Sequence, residues 1–205
     1  IVDFLNPKNS KDILFKKREK TDKQPGFYVL PGNENFNSNN YKKNALKNAI
    51  VNNGFDDFFD YILVDVPPTK IMADYVSAAE LAIYTSTHYI TCIRASSFSV
   101  ENLNSFLGVI SDYIKTNDLK TSYTGMYFND VLTTTSLFNH YKDVIGEEAQ
   151  ELLFQNFIRR DEEIEKANYQ GYSIFSYNKN CRGAWDFKKL TEELVSESEL
   201  AKVKS

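Results

Sequence analysis

The chain has 205 residues and a formal net charge of −4, from 24 Lys and Arg against 28 Asp and Glu. Its 42% of apolar residues exclude an intrinsically disordered protein, and no apolar run approaches the roughly 18 residues of a membrane-spanning helix. The two cysteines, Cys92 and Cys181, lie far apart and outside any CxxC pattern, so the sequence suggests neither a disulfide framework nor a structural zinc site and favours a reducing cytoplasm.

Short apolar runs alternate with segments of helical periodicity, which predicts a parallel sheet with crossover helices in one α/β domain, 1–205. In chain order, we predict strands at 27–30, 61–64, 88–93, 123–128 and 154–158, and helices at 41–53, 73–84, 100–117, 137–145 and 185–195. The strand at 61–64 has no polar alternation, which is typical of a central strand covered on both faces. Loops are expected at 8–24 and 32–40, and a frayed tail at 196–205.

The strongest chemical signal is Asp65, which closes the apolar segment 61–64 and precedes Val66, Pro67 and Pro68. A parallel strand that ends in Asp places a carboxylate at the carboxyl edge of the sheet, where open α/β folds bind ligands. In nucleotide-hydrolysing proteins such an Asp orients Mg²⁺ or its waters. The alternative is an Asp that only caps the next helix, and the pattern leaves both interpretations open.

Two segments resemble ParA/Soj-type partition ATPases, relatives of MinD in the deviant-Walker P-loop class. The residues YILVDVPP at 61–68 resemble the family's Walker B segment. The residues IRRD at 158–161 and RGA at 182–184 are similar, at the same spacing, to the family stretch that begins IPRN and ends SRGA. The resemblance implies a predominantly parallel, doubly wound sheet flanked by helices.

For the nucleotide site, the resemblance implies that Asp65 is the Walker B carboxylate, which would hold Mg²⁺ through water. Asn129, after the strand at 123–128, would contact the adenine of ATP, because its amide has both a donor and an acceptor. The similar C-terminal stretch adds three candidate cofactor-binding residues, Arg159, Arg160 and Asp161. As alternatives, Asn129 is a turn residue and the arginines form salt bridges to nearby carboxylates.

Basic residues near the C-terminus are the candidate DNA contacts. They are Lys179, Arg182, Lys188 and Lys189. Guanidinium and ammonium groups bind DNA phosphates without sequence preference, but a solvated charged surface is the alternative. Glu163 occupies a position where relatives place a DNA-contacting Arg, and a carboxylate there would repel phosphate.

The family's phosphate-binding loop, KGGxGKT/S, does not occur in these 205 residues. We expect this P-loop and its innermost strand to lie upstream of Ile1, since their loss would expose two long strand edges. Asn6 also stands where the family has a second Asp, near the attacking water.

The resemblance thus predicts a ParA-type ATPase for plasmid or chromosome partition, cytoplasmic and nucleoid-associated, with no membrane partner. It would bind ATP and Mg²⁺, form a homodimer, bind non-specific DNA, and hydrolyse ATP when stimulated by a ParB-like centromere-binding protein. Hydrolysis is conditional on a Walker A motif upstream of Ile1. The alternatives are a degenerate, non-hydrolysing adaptor or scaffold and a MinD-like positioning ATPase, which the acidic segment 190–205 disfavours.

Overall fold

The computed structural model describes residues 5, 15–18, 26–32, 37, 40–66, 71, 76–96 and 103–203. The chain divides into two compact units, Ile1–Ser86 and Thr87–Ser205. The interpretation of 1–205 as a single domain stays a prediction.

The first unit contains a small antiparallel sheet and three helices in its described part. They are β1 (Phe15–Arg18), β2 (Phe27–Val29), α1 (Ala45–Asn52), α2 (Phe55–Phe58) and α3 (Ala78–Thr85). The strand β1 pairs with β2 inside the segment 8–24, which we had expected to be a loop. The sequence FKKR does not predict a strand, because three of its four residues are charged and such a composition is typical only of a short edge strand.

The helices of the first unit begin and end at ordinary capping signals. The predicted helix stop at 53–54 is confirmed, because Asn53 caps α1 and Gly54 adopts a left-handed φ of 65°. At the start of α3, Ser77 Oγ accepts from the Glu80 N–H, and the Glu80 carboxylate accepts from the Ser77 N–H. This capping box starts α3 at Ala78, later than the predicted residue 73, and residues 72–75 lie outside the described part.

The segment 61–64, predicted to be a central strand, has no regular secondary structure. Its side chains are exposed, Leu63 to 89%. A strand buried on both faces needs hydrogen-bonded neighbours, and neither sheet of the described residues includes this segment. The apolar composition of 61–64 is therefore not matched by burial.

The second unit is an α/β arrangement around two parallel strands. Its regular elements are β3 (His88–Ile93), α4 (Leu103–Thr116), β4 (Ser122–Phe128), α5 (Ser136–Ala149), α6 (Glu162–Tyr169), α7 (Ile174–Asn178) and α8 (Arg182–Val203). The register of β3 and β4 runs from His88 opposite Ser122 to Ile93 opposite Phe128. The predicted fold class, α/β with a parallel sheet flanked by helices, is confirmed.

The core of the second unit lies between the sheet and its helices. Six of the buried residues come from both strands and from α4 and α5, and the seventh, Val131, lies between β4 and α5: Ile93, Leu103, Met126, Phe128, Val131, Phe138 and Ile145. The stripe predicted for the helix at 100–117 supplies Leu103 to this core, while Ile110 on the same helix is also buried.

The segment 154–158 follows β4 in parallel without forming the regular strand that we predicted. Phe154 N–H donates to Met126 O at 2.8 Å, and Ile158 N–H donates to Phe128 O at 2.9 Å. Isolated parallel bridges lie on either side of this segment.

Between these contacts, the backbone of the segment 154–158 donates its N–H groups to the carboxylate of Glu193 on α8 and not to β4. This carboxylate accepts from the N–H of Gln155 at 2.7 Å, from the N–H of Asn156 at 2.9 Å, and from Asn156 Nδ2 at 2.7 Å. Because two successive N–H groups are engaged by one side chain, the strand ladder is interrupted there.

The helix α8 continues to Val203, whereas we expected fraying from residue 196. The tail is rich in Glu, Leu, Ala and Lys, which are strong helix formers. The helices α6 and α7 were not predicted, since they are short and begin at side-chain caps, Asp161 and Ser173.

Replacement of Glu193 by Ala should lower the free energy of unfolding of the second unit by about 1–3 kcal/mol, because the half-buried Asn156 loses a charged acceptor for its N–H and its Nδ2, and the exposed Gln155 N–H loses the same acceptor. Urea unfolding followed by the fluorescence of Trp185, the one tryptophan in the sequence, measures this change. The matched control is Glu192→Ala, because Glu192 pairs only with the exposed Lys188 and Lys189 among the described residues. Glu192→Ala should lower the free energy of unfolding by less than about 0.5 kcal/mol. Equal losses in the two variants would contradict the proposed contribution of the Glu193 hydrogen bonds to stability.

Candidate functional site

The two parallel strands leave the sheet together at their carboxyl ends. Asn129, the residue after β4, donates its N–H to the carbonyl of Ile93, the last residue of β3, at 2.8 Å. The residues that follow, Arg94 and Asp130, therefore emerge side by side. This edge is where open parallel sheets bind ligands.

A third segment reaches the same edge. Val131 N–H donates to Ile158 O at 3.0 Å, and Arg160 N–H donates back to Val131 O at 2.8 Å. The predicted site residues Asn129 and Arg160 are thus brought to one edge by backbone pairing.

Asp130 lies between two arginines at this edge. Its Oδ2 accepts from Arg94 Nη2 at 2.8 Å and from Arg160 Nη2 at 3.0 Å, while its Oδ1 accepts from Arg160 Nε at 2.8 Å. The hydrogen bonds from Arg160 hold the pKa of Asp130 below its usual value. Burial opposes this effect, and the charges of Arg160 and Arg94 add to it. The carboxylate is ionised at neutral pH.

Arg159 turns toward α8 and pairs with the buried Asp186. The Asp186 carboxylate accepts from the Arg159 N–H at 3.0 Å and from Nε and Nη2 of the guanidinium. These hydrogen bonds raise the pKa of Arg159. Nε and Nη2 of Arg159 are therefore engaged inside the protein, and its predicted contact with nucleotide stays a prediction.

Asp161 caps α6 and binds the start of α8. Its Oδ1 accepts from the Glu163 N–H at 3.0 Å, and its Oδ2 accepts from the Gly183 N–H at 2.8 Å. Burial alone would raise the pKa of Asp161, but these two hydrogen bonds and the charges of Arg182 and Arg159 hold it below the usual value. Both carboxylate oxygens of Asp161 therefore stabilise the fold through hydrogen bonds from the backbone.

Arg182, in the first turn of α8, adds a third arginine to the edge that carries Arg94 and Arg160. Its Nη2 donates to the carbonyl oxygen of Arg160 at 2.6 Å, and its Nε lies 4.0 Å from Asp161 Oδ2. The alternative that these arginines pair with nearby carboxylates is therefore seen for Arg182 with Asp161 and, at longer range in sequence, for Arg160 with Asp130.

Gly183 explains part of the motif at 182–184 in structural terms. A Cβ at this position would lie 2.6 Å from Cγ1 of Ile164 on α6, closer than atoms in contact allow. Glycine therefore lets α6 and α8 approach while its N–H reaches Asp161.

The candidate DNA contacts are exposed on and before α8. Lys188 and Lys189 lie 3.8 Å and 3.1 Å from carboxylate oxygens of Glu192, and Lys188 Nζ lies 5.6 Å from the centre of the Trp185 ring. Lys179 is exposed in the turn that follows α7. Exposed pairs of this kind exchange readily with solvent and ions.

Asp65 belongs to the first unit, and its side chain is exposed. Asn129 belongs to the second unit, where it is half-buried, and its side-chain amide has no hydrogen-bond partner among the described residues. In the described ranges no group of three or more His, Cys, Asp or Glu is arranged to hold a metal ion. No helix of that same part is long and apolar enough to cross a membrane.

Three residues of the edge were missed by the sequence reasoning: Arg94, Asp130 and Asp186. The first two follow apolar strands, at 88–93 and 123–128, as Asp65 follows 61–64. The same strand-end argument that singled out Asp65 would have found them. Asp186 carried no signal, because its partner Arg159 is distant in sequence.

The comparisons with known proteins agree with this architecture. No family model matches the chain. A ParA family protein of Chlamydia trachomatis is 26% identical over 145 residues, which are 67% of this chain and 51% of that protein. The chromosome-partitioning ATPase Soj of Treponema pallidum is 25% identical over 143 residues, 68% of this chain and 53% of that protein.

Solved structures share the fold. Apo McdA of Cyanthece gives a TM-score of 0.59 at 19% identity, over 76% of this chain and 58% of that one. The cell division ATPase MinD of Pyrococcus furiosus gives a TM-score of 0.55 at 20% identity, over 76% of this chain and 59% of that one. The predicted resemblance to ParA/Soj-type proteins is confirmed by these relatives, and the solved structures confirm the fold. The chain spans about half the length of the curated relatives it matches.

Replacement of Gly183 by Ala in this ParA-like chain should lower the free energy of unfolding by about 1–3 kcal/mol, because Ile164 must move to admit the Cβ. The control is Gly108→Ala within α4, where nothing lies within 4 Å of the added Cβ. In that variant the free energy of unfolding should rise by about 0.5–1 kcal/mol. Urea unfolding measures both, and a gain at position 183 would contradict the close contact.

The pH dependence of stability should reveal Asp161. Because its pKa is lowered in the folded state, its contribution is complete above the pKa of an unfolded Asp, about 3.9, and is lost as the pH falls through the folded value. The native chain should therefore lose more stability between about pH 5 and pH 2 than Asp161→Asn, as urea unfolding at each pH would show. Identical losses would mean that the carboxylate is not held in its charged form.

Proposed function

We propose that this chain is part of a ParA-type partition ATPase. What carries the proposal is the edge of the β3 and β4 sheet, where Asn129, Arg94, Arg160 and Arg182 gather, in a chain related to Soj. Cations and a free amide at the carboxyl edge suit a nucleotide, which carries phosphates and a hydrogen-bonding base.

The residues of the second unit fit part of a nucleotide site. Asn129 offers a donor and an acceptor to adenine, while Arg160 and Arg182 supply positive charge. In the first unit, taken by itself, Asp65 is exposed and would hold Mg²⁺ through water. The Gly-rich loop that cradles phosphates in the family is not among the 205 residues, so hydrolysis is proposed on the condition that it comes from outside them.

Catalysis would then rest on positioning and charge neutralisation, as in other phosphoryl transfers. Arg160 is oriented by two hydrogen bonds to Asp130, and Arg182 by its bond to the Arg160 carbonyl. These fixed donors would not need to reorganise when negative charge develops.

For the partners, we propose a homodimer, non-specific DNA and a ParB-like centromere-binding protein, with the protein associated with the nucleoid. Lys179, Lys188 and Lys189, with Arg182, would contact DNA phosphates. The pairs of Lys188 and Lys189 with Glu192 are exposed, so their exchange for phosphates would cost little.

A second candidate function is a degenerate, non-hydrolysing adaptor. It is favoured by Asn6, which stands where the family has a second Asp near the attacking water. The two functions differ in whether DNA binding responds to ATP. A MinD-like positioning role has weaker support, because the end of α8 is acidic rather than basic and amphipathic.

Retention of the full-length protein on non-specific DNA, with and without ATP and Mg²⁺, separates the two functions. The partition ATPase predicts retention that depends on ATP and falls at least about tenfold in Asp65→Ala, because the Mg²⁺ contact is lost. Asp60→Ala is the matched control, since Asp60 is an exposed Asp on the other side of the same apolar segment and should leave retention unchanged. Equal retention with and without ATP would contradict the ATPase and favour the adaptor.

A further inference from the structure

Trp185 is an exposed aromatic residue to which neither the resemblance nor the proposed function gives a role. It lies in the first turn of α8, and 54% of its surface is exposed. The flanking residues Ala184 and Asp186 are buried, so α8 turns Trp185 away from the side that packs against the protein. Tryptophan is highly buried on average in folded proteins, so this exposure needs a reason.

Three cations surround Trp185 on the same side of α8. Arg182 precedes it by three residues, and Lys188 and Lys189 follow it by three and four residues, which are the spacings of neighbours on a helix surface. All three side chains are exposed. The Lys188 Nζ lies 5.6 Å from the centre of the indole ring, over its face. We call these four residues the Trp185 face.

We propose that Trp185 stacks on an unpaired nucleobase, and that the Trp185 face binds single-stranded nucleic acid in preference to a duplex. The proposal rests on the proposed contacts between the cations of α8 and DNA phosphates. It adds the base as a second point of contact, and it names the form of nucleic acid that the face takes. The stack itself requires neither ATP nor Asp65.

The arrangement of ring and cations is that of a stacking platform. Proteins bind single strands by stacking bases on aromatic rings while positive side chains follow the phosphate backbone. An exposed cation–π contact is weaker than a base–aromatic stack, so a base can displace the Lys188 ammonium from the ring and leave it to a phosphate. In a duplex each base is covered by its neighbours in the stack, so only an unpaired base offers a free face to Trp185.

The charge of the Trp185 face also favours a polyanion. The carboxylates paired with its three cations are Glu192 and Asp161. Glu192 is shared, since its oxygens lie 3.8 Å from Lys188 Nζ and 3.1 Å from Lys189 Nζ, while Asp161 Oδ2 lies 4.0 Å from Arg182 Nε. Two carboxylates against three cations leave the face positive, and exposed ion pairs give way to phosphates at little cost.

The small apolar content of the Trp185 face disfavours other occupants. Trp185 is its one apolar residue, whereas Ala184 and Leu190 of the same helix are buried. A lipid surface needs a continuous apolar stripe, and a protein interface needs an apolar centre of several residues. A single ring among charged side chains fits a nucleobase better than either.

Fluorescence of Trp185, the one tryptophan of the chain, tests the stack directly. The chain is titrated with a thymine oligonucleotide of about 16 nucleotides, at the upper end of common single-strand sites, and with the same oligonucleotide annealed to its complement. We expect quenching of Trp185 by the single strand and about fivefold tighter binding of that form at the same salt concentration. Anisotropy of a dye-labelled oligonucleotide gives the affinities, also for variants that lack Trp185.

The variants separate the base contact from the phosphate contact. Trp185→Ala should weaken binding of the single strand about tenfold and change duplex binding by less than about twofold, with Trp185→Phe between it and the native chain. Lys188→Gln should weaken both forms alike, because it removes a phosphate contact. The control is Phe106→Ala on α4, because Phe106 is 43% exposed but has no charged residue within four positions, and this variant should bind like the native chain.

Duplex binding as tight as single-strand binding, with Trp185 unquenched, would overturn the proposal and leave the proposed DNA contacts of the lysines intact. Binding of neither form would contradict both. Equal losses of single-strand affinity in Trp185→Ala and Phe106→Ala would overturn the proposal as well. A spectral shift of Trp185 with anionic phospholipid vesicles, and none with the oligonucleotide, would replace the nucleic acid by a lipid surface.

Discussion

The parallel pairing of β3 with β4 is the constraint on which the second unit depends. Parallel strands must exit at the same edge, and the hydrogen bond from Asn129 to Ile93 carries the pairing one residue beyond the sheet. The third segment continues it through Val131 and Arg160. Residues far apart in sequence therefore meet at one edge without any need for contacts between their side chains.

Three carboxylates then fix the segment after β4 to α8. Asp161, Asp186 and Glu193 each accept hydrogen bonds from backbone N–H groups, and two of these carboxylates project from α8 itself. Such charge-assisted bonds restrain the backbone more firmly than exposed ion pairs. The spacing between the segments IRRD and RGA thus has a structural meaning, because the loop and the helix that bind each other lie at its two ends.

The helices and strands of the second unit were predictable because their signals are local. The strand at 88–93 was predicted with its observed bounds, since an apolar β-branched run ends at a charged residue. The helices α6 and α7 were not predicted, because each begins at a side-chain cap and not at a hydrophobic stripe. The segment 61–64 shows the opposite case, in which apolar composition predicts a strand but pairing depends on neighbours that composition does not specify.

The candidate site was predictable only in part for the same reason. Asn129 and Arg160 were found through resemblance, and backbone pairing brings them to one edge. The pairing of Arg94 and Arg160 with Asp130 joins residues 36 and 30 positions apart, which no short motif encodes. Asp161 was expected at the nucleotide, yet its oxygens bind two backbone N–H groups, a role that depends on the approach of α8.

We propose that the carboxyl edge of the β3 and β4 sheet is the ligand-binding side of the second unit. Titration of the ¹⁵N-labelled chain with ATP and Mg²⁺, followed by backbone amide chemical shifts, tests this most directly. We predict shifts at Asn129, Asp130 and Arg160 and none at Ser122, which begins β4 at the opposite edge. Shifts confined to the amino edge, or no shifts at saturating ATP, would contradict it.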